Sequence, residues 1–100
     1  MAESKPYRVH PLAWADIDAA DAWYFERSPD TADAFVAEVS LAIETICEAP
    51  QRWPKYLYGT HRFLLHRFPF SIVYLDDPDT VSVIAVAHHK RKPGYWNKRV

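Results

Sequence analysis

From Ala32 to Ile46 the apolar residues Ala32, Val36, Val39, Ile43 and Ile46 recur at steps of four, three, four and three. That spacing brings each side chain back to one face of an α-helix. Pro50 lacks an amide hydrogen and clashes with the turn before it, so the helix ends near Ala49. A long helix with one apolar stripe has to be covered on that side. Upstream, Ala13, Ile17, Ala20 and Tyr24 recur at steps of four, three and four, and predict a first helix from Ala13 to about Arg27. Asp16, Asp18 and Asp21 lie largely off that face. Ser28-Pro29-Asp30 separates the two as a stop and restart, with Ser28 or Asp30 able to cap the second helix. Two helices this close in sequence form a hairpin whose joined apolar faces need a sheet over them.

The strands come from the ends of the chain. Tyr7 to His10, between Pro6 and Pro11, reads as a short edge strand. Pro11 suits the first turn of the helix that follows. After the second helix, Gln51 to Thr60 has no clean period and contains Pro54 and Gly59, which predicts a connecting loop anchored by Trp53. Three apolar runs follow: Arg62 to Phe68, Phe70 to Leu75, and Val81 to Ala87. Asp76-Asp77-Pro78-Asp79 supplies a hairpin turn between the last two. Val81 to Ala87 is apolar on both faces, as an interior strand is. The chain then runs through His88-His89-Lys90-Arg91-Lys92-Pro93-Gly94-Tyr95-Trp96-Asn97-Lys98-Arg99. Histidines, cations and aromatics are thus delivered to one end of a sheet, a layout suited to phosphates or an acidic partner.

One hundred residues make one domain, spanning residues 1–100. Cys47 is the single cysteine, which rules out an internal disulfide and fits a reducing cytoplasm. No apolar run is long enough for a membrane span, and Met1-Ala2-Glu3-Ser4-Lys5 lacks the apolar core of a signal peptide. The net charge of −1 conceals a split. Residues 1–50 carry three cations against ten anions; residues 51–100 carry nine cations against three anions. A basic half points to a polyanion or an acidic protein as partner, unless acidic helices simply neutralise a basic sheet from within. No ligand set for a metal converges, since His61/His66 and His88/His89 each point to opposite faces. With two glycines there is no phosphate loop or nucleotide fingerprint, and no cofactor is expected.

Several pieces together resemble a RelE/ParE superfamily toxin, the toxin half of a type II toxin-antitoxin module, often labelled a plasmid stabilisation protein. They are Ala13-Trp14-Ala15-Asp16-Ile17, Trp23-Tyr24, Phe35, Pro50-Gln51-Arg52-Trp53-Pro54, Arg67 to Tyr74, and Val83 to Arg99. Their order over about ninety residues carries the resemblance more than any one of them does. It implies an α+β fold of order β-α-α-β-β-β, with a helical hairpin packed on a small antiparallel sheet. It also implies growth inhibition held in check by a cognate antitoxin.

The branch that resembles RelE cuts mRNA on the ribosome without a metal. That chemistry needs a base for the 2′-hydroxyl, cations for the crowded phosphate and an acid for the leaving oxygen. The resemblance offers His88 as acid or base, Arg67 and Arg91 as phosphate clamps, and Tyr95 to orient the nucleophile or stack. Arg62, His89, Lys90, Lys92, Trp96 and Arg99 would bind RNA or antitoxin. Arg62 and Arg67 sit five apart on one expected strand, so only one faces the cleft, and Arg67 is the first choice. On the last strand Ile84, Val86 and His88 share one face, and Ala85, Ala87 and His89 the other. The duller readings are that the arginines solvate an exposed sheet face and that Trp96 folds back to seal the core. The branch that resembles ParE breaks no bond and acts on DNA gyrase; the near-neutral charge departs from the strongly basic nuclease pattern. A third reading is a non-catalytic module whose partner is the antitoxin alone, bound as an acidic or amphipathic segment that orders on contact.

Overall fold

The computed structural model describes residues 4–100; residues 1–3, the start of the stretch expected to lack a signal-peptide core, lie outside the described residues. The elements run β1 (Tyr7–Val9), α1 (Pro11–Arg27), α2 (Pro29–Glu48), β2 (His61–Leu64), β3 (Phe70–Asp76) and β4 (Val81–His88), with short 3-10 turns at Pro50–Arg52, Leu57–Gly59 and Asn97–Arg99. The two long helices form the expected hairpin on a four-stranded sheet of order β1-β4-β3-β2. β2, β3 and β4 are antiparallel neighbours, but β1 pairs parallel with β4, so the sheet is mixed. No helix among the described residues is long and apolar enough to cross a membrane.

Both helix starts follow from local chemistry. The Leu12 amide donates to His10 Nδ1 at 3.0 Å with Pro11 at the first helical position, and the Thr31 amide donates to Ser28 Oγ at 3.3 Å with Pro29 next. Ala13, Ile17 and Ala20 of α1 face the sheet with Ala32, Phe35, Val39, Ala42, Ile43, Ile46 and Cys47 of α2. One position departs from the expected stripe. Val36 is exposed and Phe35 is buried in its place, three residues after Ala32 and four before Val39. Phe35 meets Phe68 and Phe70 at ring separations of 5.3 and 5.1 Å, and Tyr24 at 5.4 Å, an aromatic knot larger than valine could fill.

β2 is shorter than the run from Arg62 to Phe68 suggested, and Arg67 is not on a strand. The carboxylate of Glu38 on α2 accepts from the backbone amides of His66 at 2.5 Å and Arg67 at 3.2 Å. These charge-assisted bonds draw the chain off the sheet and onto the hairpin. Phe68 then drops into the aromatic knot, and the strand resumes at Phe70 after Pro69. The segment from Gln51 to Thr60 is the expected connection, with Trp53 set against Phe63 at 5.0 Å.

Candidate functional site

β4 is irregular where it matters. Val73 of β3 pairs with Ala85 and Tyr74 with Val83, so Ile84 has no opposite partner. Such a bulge reverses the side-chain alternation beyond it. Val81, Val83 and Val86 therefore all face the helices, while Ile84 and Ala85 both face away from them. The expectation that Ile84 shares a face with Val86 and His88 is corrected by this skipped residue. Beyond the bulge His88 and His89 still diverge. His88 packs edge-on against Phe70 at 4.9 Å, and Nδ1 accepts the Lys90 amide at 3.0 Å. Burial, then the nearby His89 and Lys90, hold its imidazolium below the ordinary histidine range, so the neutral ring is favoured. His89 lies on the other face, with Nε2 2.9 Å from the hydroxyl of Ser71.

The face away from the helices carries a second core of Val73, Ile84, Ala85 and Trp96. Trp96 is 1% exposed, so it folds back to seal this core, the second of its two readings, and its ring is not open to RNA or antitoxin. Beside this core is a cleft of about 230 Å³ whose polar wall is Arg62, Ser71, His89, Arg91 and Lys92. Of the two arginines considered for the cleft, Arg62 is the one present, its guanidinium 4.3 Å from the centre of the Tyr56 ring. Arg67, the first choice, stands in the exposed turn after β2, against Phe68. On the helix side a wider groove of about 570 Å³ runs between α1 and the ends of β3 and β4, over Ala20, Trp23, Tyr24 and Phe70, with Lys90 on its rim. His88, Arg91 and Tyr95 border both hollows.

Tyr95 and Arg99 are committed elsewhere. The Tyr95 hydroxyl donates to Asp16 Oδ2 at 3.2 Å, and Arg99 Nη1 reaches the same oxygen at 2.7 Å. Arg99 is thus held in an ion pair and not free to meet RNA or antitoxin. Burial, then the Asp16 carboxylate, push the Tyr95 phenol up to about 12, while Arg99 and Arg91 oppose the shift. At neutral pH it is a fixed donor and not a base. The folded state holds this proton more tightly than the unfolded chain, whose phenol has the ordinary value of 10.0. The stabilisation is therefore complete below pH 10.0 and is lost as pH rises through about 12. Urea midpoints measured across that range should fall, and Tyr95→Phe should flatten the fall in part. The phenol of Tyr74, raised further by burial, then by Asp76 and Cys47, would contribute to the remainder together with Tyr24 and Cys47, each raised by burial.

Among the described residues no three His, Cys, Asp or Glu side chains converge as metal ligands. Of the nine cations after residue 50, Arg99 alone takes part in an ion pair among the described residues, with Asp16 of α1. Sequence reasoning missed three participants. Ser71 becomes visible only through the strand register, which sets it opposite Leu64, and Tyr56 only through the loop that brings its ring under the Arg62 guanidinium. Asp16 stood in a motif quoted for the resemblance and was read only as a charge off the apolar face.

A family model described as "ParE toxin of type II toxin-antitoxin system, parDE" matches residues 7–93. Among solved structures, one titled "Chromosomal ParDE TA system from P. aeruginosa" is similar to this chain with a TM-score of 0.76 and 16% identity. The similarity covers 87% of this chain and 98% of that one. At that identity the likeness shows the fold. No curated protein matches the chain.

Proposed function

The chain belongs to the ParE toxin family of type II toxin-antitoxin systems, and from that premise we propose that it arrests growth by binding DNA gyrase, without cutting mRNA, until a cognate antitoxin neutralises it. Its place of action is the cytoplasm, where such a target resides and a lone thiol stays reduced. The observation that carries the choice of target is the dispersal of the groups a metal-free RNA cleavage would need. Arg67 stands on a separate turn, the Tyr95 hydroxyl is spent on Asp16, and Trp96 is buried, so of the groups offered for that chemistry only the histidines and Arg91 reach the cleft with Arg62 and Lys92. General acid-base chemistry requires donor and acceptor within reach of the same reacting atoms. One observation favours the nuclease reading, the convergence of Arg62, His89, Arg91 and Lys92 on one cleft.

For the antitoxin, the apolar groove beside α1 with exposed cations at its rim suits an acidic amphipathic segment. Lys90→Ala combined with Arg91→Ala and Lys92→Ala is expected to weaken antitoxin binding by about tenfold or more and to steepen no unfolding curve, since exposed substitutions shift stability by about 0.5 kcal/mol or less. Titration of the purified antitoxin against both proteins at two salt concentrations checks this. Induced expression of the lone chain is expected to stop growth, and co-expression of the antitoxin to restore it. Normal growth with folded protein in the cells would overturn the toxin reading.

A further inference from the structure

β1 stops short of the far end of β4. It pairs only with Val81, Ser82 and Val83, and the chain leaves the sheet once the His10 amide has donated to the Val83 carbonyl. From Ile84 onward the outer edge of β4 has no strand beside it among the described residues. Unpaired backbone groups in a half-buried place are costly. Two side chains supply what the missing strand would have supplied. The Val86 amide donates to Asp16 Oδ2 at 3.1 Å, and Arg99 Nη1 donates to the Ile84 carbonyl at 3.2 Å. The two side chains also pair with each other, Nη1 to Oδ2 at 2.7 Å and Nη2 to Oδ1 at 3.4 Å, with about a tenth of each exposed.

We infer that Asp16 is a positioning residue for Arg91, a cation needed for growth arrest: it holds the C-terminal segment Tyr95–Arg99 against the open edge of β4 and, through Tyr95, sets Arg91 between the cleft and the groove. Three groups from two separate stretches of chain converge on its carboxylate: the Val86 amide of β4, and the Tyr95 hydroxyl and Arg99 guanidinium of the C-terminal segment. Arg91 has no ion-pair partner among the described residues; its guanidinium lies 3.9 Å from the centre of the Tyr95 ring. The orientation of that exposed cation therefore depends on the ring, and the ring depends on Asp16. The 3-10 turn at Asn97–Arg99 contributes little hold by itself, being three residues long.

This inference rests on the toxin reading only for its functional arm, so it is tested on two readouts. In Asp16→Ala, amide hydrogen exchange at Tyr95, Asn97 and Arg99 should quicken by about tenfold or more while the β3 amides of Ile72 and Val73 keep their protection. Growth arrest on induced expression should be lost. Arg99→Gln keeps Asp16 and is the second variant should Asp16→Ala fail to fold; the same amides should quicken, by a smaller factor. Unchanged tail exchange in both variants would overturn the inference. So would a loosened tail with growth arrest intact, which would make Asp16 merely structural. Absence of arrest by the unaltered chain would instead sink the toxin reading, and the exchange rates would still decide whether Asp16 holds the tail.

Discussion

Trp96→Ala is expected to lower the stability of the fold by about 3–5 kcal/mol, the usual loss when a fully buried large aromatic is removed. The reason is positional. A sheet covered by helices on one face leaves its other face wet unless the chain returns to cover it. Here the return is the C-terminal segment, and Trp96 is its keystone, set against Val73, Ile84 and Ala85. The rings of Tyr56 and Tyr58 stand 6.0 and 5.9 Å away. Gly94 lets the segment close, since its φ of +80° is in the left-handed region and a Cβ there would sit 3.1 Å from the Tyr58 ring. Urea unfolding with matched slopes measures the effect. A loss below about 1 kcal/mol would show a ring contributing no more than an exposed one.

The second large effect is Ile43→Asp, which is expected to abolish the folded state. Ile43 is 5% exposed within the main core, among aliphatic and aromatic side chains. The side chains buried with it in that cluster include no cation to pair with a carboxylate. An unpaired buried charge costs about 3–5 kcal/mol and the lost burial of the isoleucine side chain about 2–5 kcal/mol more, together comparable with the total stability of about 5–15 kcal/mol for a domain. The expected outcome is loss of the cooperative unfolding transition and of helical circular dichroism at ambient temperature. A soluble variant with a native transition would contradict the packing of α2 on the sheet.

The helices were legible because their stripes are periodic and their ends carry Pro11, Ser28-Pro29 and Pro50. Even there, Val36 and Phe35 exchange roles, because adjacent positions on a helix both satisfy a loose stripe and only the room available decides which side chain turns inward. The strands were legible as apolar runs, but their faces were not. Strict alternation along β4 puts Ile84 on the side of Val86 and His88, and the bulge that moves it leaves no mark in composition. Arg67 was misplaced for a different reason. The capture of two backbone amides by Glu38, 28 residues earlier, is a tertiary bond with no local signature. The cleft was thus half visible: Arg91 and Lys92 of the tail line it, both histidines reach it although only His88 was offered as acid or base, and Arg62 replaces Arg67 while Ser71 enters through pairing. Asp16 shows the limit most clearly, since its three partners lie 70 to 83 residues further along.

The most direct test of the central claim follows the lone chain after induction, with transcript mapping and plasmid topology read from the same culture within minutes. The account predicts arrested growth, intact messages, and altered supercoiling or trapped gyrase-DNA complexes. Messages cut at the ribosomal A site, with supercoiling unchanged, would contradict it and make the cleft of Arg62, His89, Arg91 and Lys92 a nuclease site.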